Sequence, residues 1–396
     1  MRTTGFRWRA AGLALATVTA SSAMLAPAAA EELERGPGLY APCAIDGDRM
    51  PMRTIIEEIL EASPGPNTTE DDPPLYQQPS ATERANLASG IAHMIAGSRH
   101  TALQYFALAG YEACQGRMDE VPTWYSRDVL VYDNEGRGSG TRGRPMLVYR
   151  EEATGLGEGG IVLGVPHASE DGVPEMALNA FSTMRDTVRG VVLAGTHRCN
   201  STTNSDDDGT TPECGRHYKI SDMAHQFDSP LPSQAQTDFQ VMHDGLRTGH
   251  PTSNQLQMHG MQNNNPNEHD EGFEISDGGD AEADLVDEAV ERAHAAYAAA
   301  LTTAMNAGGL TAAEQTELSW LTTCQAYTIE GPPAVEVPAS NRHCGRNSDQ
   351  GQLERARGHG ARWLHIEISR YIRDSSSIDP TVFNSIQPAL RAIAAG

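Results

Sequence analysis

Histidines and carboxylates at three separate places in the chain could together bind a catalytic metal ion. His167 and Glu170 are three residues apart and follow the apolar run Gly160–Val165. His259 ends a second strand-like run, and Glu367 lies within a third. Zinc hydrolases commonly use two histidines and one carboxylate and keep a fourth position for water. We therefore expect His167, Glu170 and His259 to bind one zinc ion per chain, with Glu367 as the general base.

A cationic side chain is also needed to stabilise the charge that develops during hydrolysis. Arg198 follows the strand-like run Gly190–Ala194 and is the best-placed candidate. Its alternative role is an ion pair with an acid of the loop 206–208.

Each of the other assignments has a purely structural alternative. His167 could be a loop residue bonded to the backbone, and Glu170 an acid that stabilises a helix N-terminus. His259 precedes a glycine and could belong to a turn, while Glu367 could pair with Arg370 or Arg362.

The elements that carry these residues predict a parallel sheet. The β-branched run before His167 is typical of a buried strand, residues 173–185 predict a helix, and Gly190–Ala194 predicts another strand. Strand, helix and strand in some thirty residues form a βαβ unit. Ligands of such sheets bind beyond the carboxyl ends of the strands, which is where His167 and Arg198 are expected.

The remaining pattern predicts an α/β protein, mostly parallel, with flanking helices and a largely helical N-terminal extension. Residues 128–132 and 146–149 flank a Gly- and Arg-rich turn and predict a hairpin. The other expected elements are helices at 52–62, 81–110, 239–246 and 281–306, strands at 255–258 and 362–368, and a C-terminal helix. The predicted divisions are a signal peptide at 1–30, the extension at 31–125 and the α/β domain at 126–396.

The first thirty residues are typical of a signal peptide. A basic start (Arg2, Arg7 and Arg9) precedes a short apolar run and the small-residue cleavage site Ala28–Ala30. The run is too short for a transmembrane helix. We expect a secreted or periplasmic protein without a membrane anchor.

The chain is strongly acidic, with a formal net charge of −24. Loss of the three arginines of the signal peptide would take this charge to −27. Such a surface repels nucleic acid and anionic membranes, so we expect neither as a partner. It also disfavours a polyanionic substrate, because long-range repulsion slows the encounter.

The six cysteines of an exported chain predict disulfides. Local spacing favours three pairs, although six cysteines allow fifteen arrangements. The favoured pairs are Cys43 with Cys114, Cys199 with Cys214, and Cys324 with Cys344.

The order of the motifs over roughly residues 160–373 resembles the zinc carboxypeptidase-like superfamily. The motifs are His167-Ala-Ser-Glu170, a strand followed by Arg198, Asp222-Met-Ala-His225, His259-Gly and Glu367. Within that superfamily the closer resemblance is to N-formylglutamate amidohydrolases and phage-type poly-γ-glutamate hydrolases.

This resemblance implies the same zinc ligands and the same base, with Arg198 binding a substrate carboxylate or the oxyanion. Asp222 and His225 fall where carboxypeptidases carry an Asn-Arg pair, so they become candidates for substrate binding. His225 is also a rival metal ligand. The implied substrate is a small peptide, a γ-linked glutamyl chain or an N-acyl amino acid with a free carboxylate.

Other hydrolase and cofactor classes fit less well. The chain has no G-x-S-x-G nucleophile elbow, and its Gly-rich segment 157–160 precedes a strand instead of following one. We therefore predict a secreted zinc-dependent amide hydrolase. The alternative is a non-catalytic exported binding module with an acidic, disulfide-stabilised surface.

Overall fold

The structure is a computed structural model, and the chain divides after Pro37. Residues 1–37 lie outside the described residues. The described residues are 40–62, 79–123, 126–133, 143–151, 160–167, 172–195, 237–261, 273–276, 288–308, 312, 321–322, 327–329, 335–337, 362–369 and 380–395.

The described residues form fourteen strands and seven helices. The strands are β1 (Ala41–Pro42), β2 (Ala44–Ile45), β3 (Asp48–Arg49), β4 (Tyr111–Gly116), β5 (Asp128–Asp133), β6 (Met146–Arg150), β7 (Ile161–Val165), β8 (Val188–Leu193), β9 (Asn254–Met261), β10 (Phe273–Ser276), β11 (Leu321–Thr322), β12 (Tyr327–Ile329), β13 (Val335–Val337) and β14 (Trp363–Ser369). The helices are α1 (Met52–Ala62), α2 (Ala81–Ile95), α3 (Arg99–Leu108), α4 (Val173–Thr183), α5 (Asp238–Gly249), α6 (Glu288–Asn306) and α7 (Pro380–Ala394).

Ten of the described strands form one mixed sheet in the order β1-β4-β5-β6-β8-β7-β9-β14-β10-β11. Within it, the neighbouring strands β8, β7, β9 and β14 are all parallel. This confirms the predicted α/β class with a mostly parallel sheet and flanking helices.

The two local motifs predicted from the pattern are both present. β7, α4 and β8 form a βαβ unit with a parallel pair of strands, and β5 and β6 pair in antiparallel fashion. The apolar runs of β7 and β8 are buried throughout, as expected for strands covered on both faces.

Helices cover both faces of the sheet. One core cluster contains residues of α1, α4, α6 and α7. The other contains residues of α2, α3 and α5. β7 contributes to both, because Ile161 and Leu163 lie in the first cluster and Val162 in the second. This alternation follows from the two-residue period of a strand.

The prediction of a single helix over 81–110 is wrong, because the structure has two helices there. α2 ends at Ile95 and α3 begins at Arg99. Gly97 between them has a φ of +73°, a left-handed conformation that terminates helices. The chain then enters β4, a strand that the sequence pattern did not indicate.

The segment predicted as the N-terminal extension contributes to the main sheet. β4 pairs with β5 across the predicted boundary near residue 125, and β1 pairs with β4. The disulfide predicted between Cys43 and Cys114 is present. The other four cysteines lie outside the described residues.

The predicted signal peptide also lies outside the described residues. Among the helices that the structure describes, none combines the length and apolar character needed to cross a membrane.

Candidate metal centre

β14 has one apolar face and one polar face, although both are buried. Leu364, Ile366 and Ile368 belong to the first core cluster. The alternate residues between them include His365 and Glu367, which are also buried. Burying polar groups is costly unless they have partners or bind an ion, so this face has the character of a functional site.

β9, the parallel neighbour of β14, repeats this arrangement. Leu256 and Met258 join the apolar core, and Gln255, Gln257 and His259 alternate with them. The strand register places His259 opposite Glu367 and Gln257 opposite His365. Paired residues on adjacent strands project from the same face, so the polar residues of both strands form one surface.

His167 joins this surface from the end of β7. The strand ends at Val165, and His167 follows two residues later at the carboxyl edge of the parallel strands. The His167 and His259 ring centroids lie 4.8 Å apart, with the rings nearly perpendicular. The His259 and His365 centroids lie 4.7 Å apart. Three imidazoles, from β9, from β14 and from the segment after β7, therefore meet at one place.

Three of these residues form a group that could hold a metal ion. One ligand atom from each of His259, His365 and Glu367 lies within 4.8 Å of the others. His365 Nε2 is 3.6 Å from Glu367 Oε1. His167, His259, His365 and Glu367 are each no more than 7 % exposed, so water competes little for an ion bound there.

The donor atoms are of the types that zinc binds, and their separation is close to the separation of ligands in zinc sites. Zinc binds imidazole nitrogens and carboxylate oxygens at about 2 Å, so two of its ligands lie at most about 4 Å apart. The donor atoms of His259, His365 and Glu367, which lie within 4.8 Å of one another, are slightly more widely spaced than that.

The structure brings together three of the residues singled out from the sequence, namely His167, His259 and Glu367. His259 lies inside β9, which continues to Met261, so the alternative of a turn residue is wrong. Of the alternative partners for Glu367, Arg362 donates to the carbonyl oxygen of Thr252 at 2.5 Å, and Arg370 lies outside the described residues.

Four other residues singled out from the sequence lie outside the described residues. They are Glu170, Arg198, Asp222 and His225. Their assignments stay predictions.

Sequence reasoning gave His365 no role, although it lies two residues before Glu367. A spacing of two places both side chains on the same face of a strand. This two-residue period could have indicated His365 from the sequence, but only once Glu367 was known to face the site.

A further buried histidine, His243, lies next to the polar surface. The Nδ1–H group of His243 on α5 donates a hydrogen bond to Gln255 Oε1 over 3.0 Å, because an amide oxygen can only accept. Burial lowers the pKa of His243 to about 4, even though the bond to Gln255 acts in the opposite direction. The ring is therefore neutral near pH 7 and contributes no charge to the site.

Comparison with known proteins adds little to this geometry. No family model matches the chain, and no curated protein matches it. A solved structure of a proposed metallopeptidase from Shewanella amazonensis SB2B aligns over 65% of this chain and 84% of its own, with 12% identity and a TM-score of 0.32. The support for a function therefore comes from the residues of the site.

Proposed function

We propose that this protein is a metal-dependent hydrolase that cleaves an amide bond. The observation that carries the proposal is the buried cluster of His167, His259, His365 and Glu367, which places metal-binding imidazoles next to a carboxylate on the polar face of a parallel sheet. A purely structural core has no need for such a cluster of ionisable groups, because apolar residues of similar volume are equally stable there or more so.

His259 is the central ligand in this proposal, with His167 beside it at the strand end. Glu170 remains the predicted third ligand. A bound zinc ion, one per chain, would supply Lewis-acid activation of water and of the scissile carbonyl group. Glu367, opposite His259 in the strand pairing, takes the proton of the attacking water and delivers it to the leaving amine.

The substrate class is proposed from the motif order that resembles the zinc carboxypeptidase-like superfamily. A small peptide or N-acyl amino acid with a free carboxylate would be held by Arg198, with Asp222 and His225 as further candidates for its binding. The predicted signal peptide and the Cys43–Cys114 disulfide support action outside the cytoplasm.

The test measures both the metal content of the purified protein and its hydrolytic activity. The purified chain should contain about one zinc, and His259→Ala should lose it, while the exposed-site control Glu291→Gln should keep it. A panel of N-acyl dipeptides with free carboxyl ends should be hydrolysed, and 1,10-phenanthroline should stop the reaction. A chain that takes up no metal when zinc is offered would contradict the proposal and favour the binding-module alternative.

A further inference from the structure

The polar face of the sheet is organised in two rows that run across neighbouring strands. The row nearer the carboxyl ends of β9 and β14, called the upper row, contains His259, Glu367 and Glu274, which are paired across β9, β14 and β10. The lower row lies two residues earlier along β9 and β14. It contains Gly164, Gln257, His365 and Ser276, which are paired across β7, β9, β14 and β10.

His365 is the lower-row residue that contacts the upper row. Its Nε2 atom is 3.6 Å from Glu367 Oε1, and its ring lies 4.7 Å from that of His259 at an angle of 34°. On its other side the Trp363 ring lies 6.1 Å away, tilted by 35°. The imidazole is thus packed between an aromatic ring and the two residues assigned to the reaction.

His365 lies where its imidazole can hold the Glu367 side chain in a fixed orientation. A glutamate has a flexible side chain, and a catalytic base must be held close to its productive geometry by neighbouring groups. The imidazole can donate a hydrogen bond to the carboxylate once the present separation shortens to about 3 Å. His365 also lies farther from the carboxyl ends of the parallel strands than His167, which follows the end of β7.

Gln257 gives an independent sign that the lower row has a polar role. It lies opposite His365 and is fully buried. Within the described part of the chain, neither its amide oxygen nor its amide nitrogen makes a hydrogen bond. Buried amides are nearly always satisfied, so this group is available to hold the imidazole of His365 from the side.

We propose that His365 is a positioning residue that orients the Glu367 carboxylate, and that it is not a ligand of the ion. This role deepens the proposed hydrolase function and depends on it. It also separates the three clustered residues by task, with His259 binding the ion and Glu367 handling the proton.

The test compares His365→Gln, which keeps a hydrogen-bond donor, with His365→Phe, which keeps only the ring shape. Zinc stoichiometry and the zinc dissociation constant are measured by competition with a chelating dye, and kcat and KM with the N-acyl dipeptides. His294→Leu is the matched control, because His294 is a fully buried histidine of α6 that contacts Phe273.

Both His365 variants should keep about one zinc, with a dissociation constant close to that of the unchanged chain. In His365→Phe, kcat should fall about 10- to 100-fold, the range found for residues that orient groups at metal sites, with KM nearly unchanged. His365→Gln should recover part of that loss, and His294→Leu should leave kcat unchanged.

Two results would overturn this role while leaving the hydrolase proposal intact. One is loss of zinc from both His365 variants, as in His259→Ala, which would make His365 a ligand. The other is an unchanged kcat in His365→Phe. Absence of metal from the unchanged chain would instead contradict the proposed function itself.

Discussion

His259 of β9 and Glu367 of β14 lie directly opposite each other in a parallel strand pairing. The two residues are more than one hundred positions apart in the chain, yet the pairing places both side chains on one face of the sheet. The ligand and the base proposed at these two positions would keep a constant separation on adjacent rigid strands, which loops could not ensure. This relationship is the basis of the proposed chemistry.

Replacing Glu367 by Gln should abolish most turnover while zinc remains bound. The amide keeps the shape of the side chain but cannot take a proton, and loss of general-base catalysis costs about 10²- to 10⁴-fold in rate. The measurements are kcat and zinc content, with the exposed Glu291→Gln as control. Turnover at the normal rate would exclude Glu367 as the base, and loss of zinc would make it a ligand.

Gly164→Ala should destabilise the protein because the new methyl group would collide with a buried ring. A Cβ atom at Gly164 would lie 2.5 Å from His243 Nε2 and 2.7 Å from its Cε1. Overpacking of this kind costs about 1–3 kcal/mol in the free energy of unfolding.

The same contact can be isolated by adding His243→Ala. The double variant should lose less stability than the sum of the two single variants, since the collision is gone. Urea denaturation of all four proteins gives the coupling free energy, and strict additivity would show that the two residues do not interact.

Asp238→Ala should be much more destabilising than Asp186→Ala. The carboxylate of Asp238 is buried and pairs with Arg144, and it accepts a hydrogen bond from the Tyr111 hydroxyl over 2.8 Å. Its removal takes the closest charged partner from the buried Arg144 guanidinium and leaves it only the more distant Glu83 carboxylate at 3.8 Å, at a cost of about 3–5 kcal/mol.

The control pair is on the surface. Asp186 and Arg391 pair at 2.6 Å with side chains 60% and 43% exposed, and such pairs contribute no more than about 1 kcal/mol. Urea denaturation of both variants provides the comparison. Equal losses in the free energy of unfolding of the two variants would contradict the expected effect of burial.

The free energy of unfolding should decrease as the pH falls from 6.5 toward 3, partly because of His294. Burial lowers the pKa of His294 in the native state to about 3, while an unfolded histidine has a pKa of about 6.5. Between these values the unfolded state binds a proton that the native state does not, so acid favours unfolding.

His294→Leu should therefore reduce the slope of stability against pH. The native protein is expected to lose about 2 kcal/mol through this residue between pH 7.5 and pH 5. Urea midpoints at the two pH values measure the change. An identical pH dependence in the variant would mean that His294 is protonated alike in both states.

Removing the Cys43–Cys114 disulfide should lower stability by about 4 kcal/mol in the chain-entropy description, in which the stabilisation grows with the length of the closed loop. The two cysteines are 71 residues apart, and the bond joins the segment around β1 to β4. A double replacement by Ser, compared with the unchanged chain in urea, tests this. A denaturation midpoint that did not change would show that the bond contributes nothing.

The sequence determined the local elements whose side-chain period is regular. The helix at Met52–Ala62, the strand before His167, the hairpin and the last strand were all recognisable, because each depends on its own residues. The polar alternation of β14 was visible in the same way. β4 and β10 were missed, since short strands with mixed composition owe their conformation to their neighbours.

Only the tertiary structure decided which polar residues meet. The pairing of β9 with β14 aligns His259 with Glu367 and brings His365 into the group. Strand register is a non-local property, and a shift of one residue would turn every side chain of the strand to the opposite face. The sequence shows which residues alternate, whereas the packing of the whole sheet decides which of them face one another.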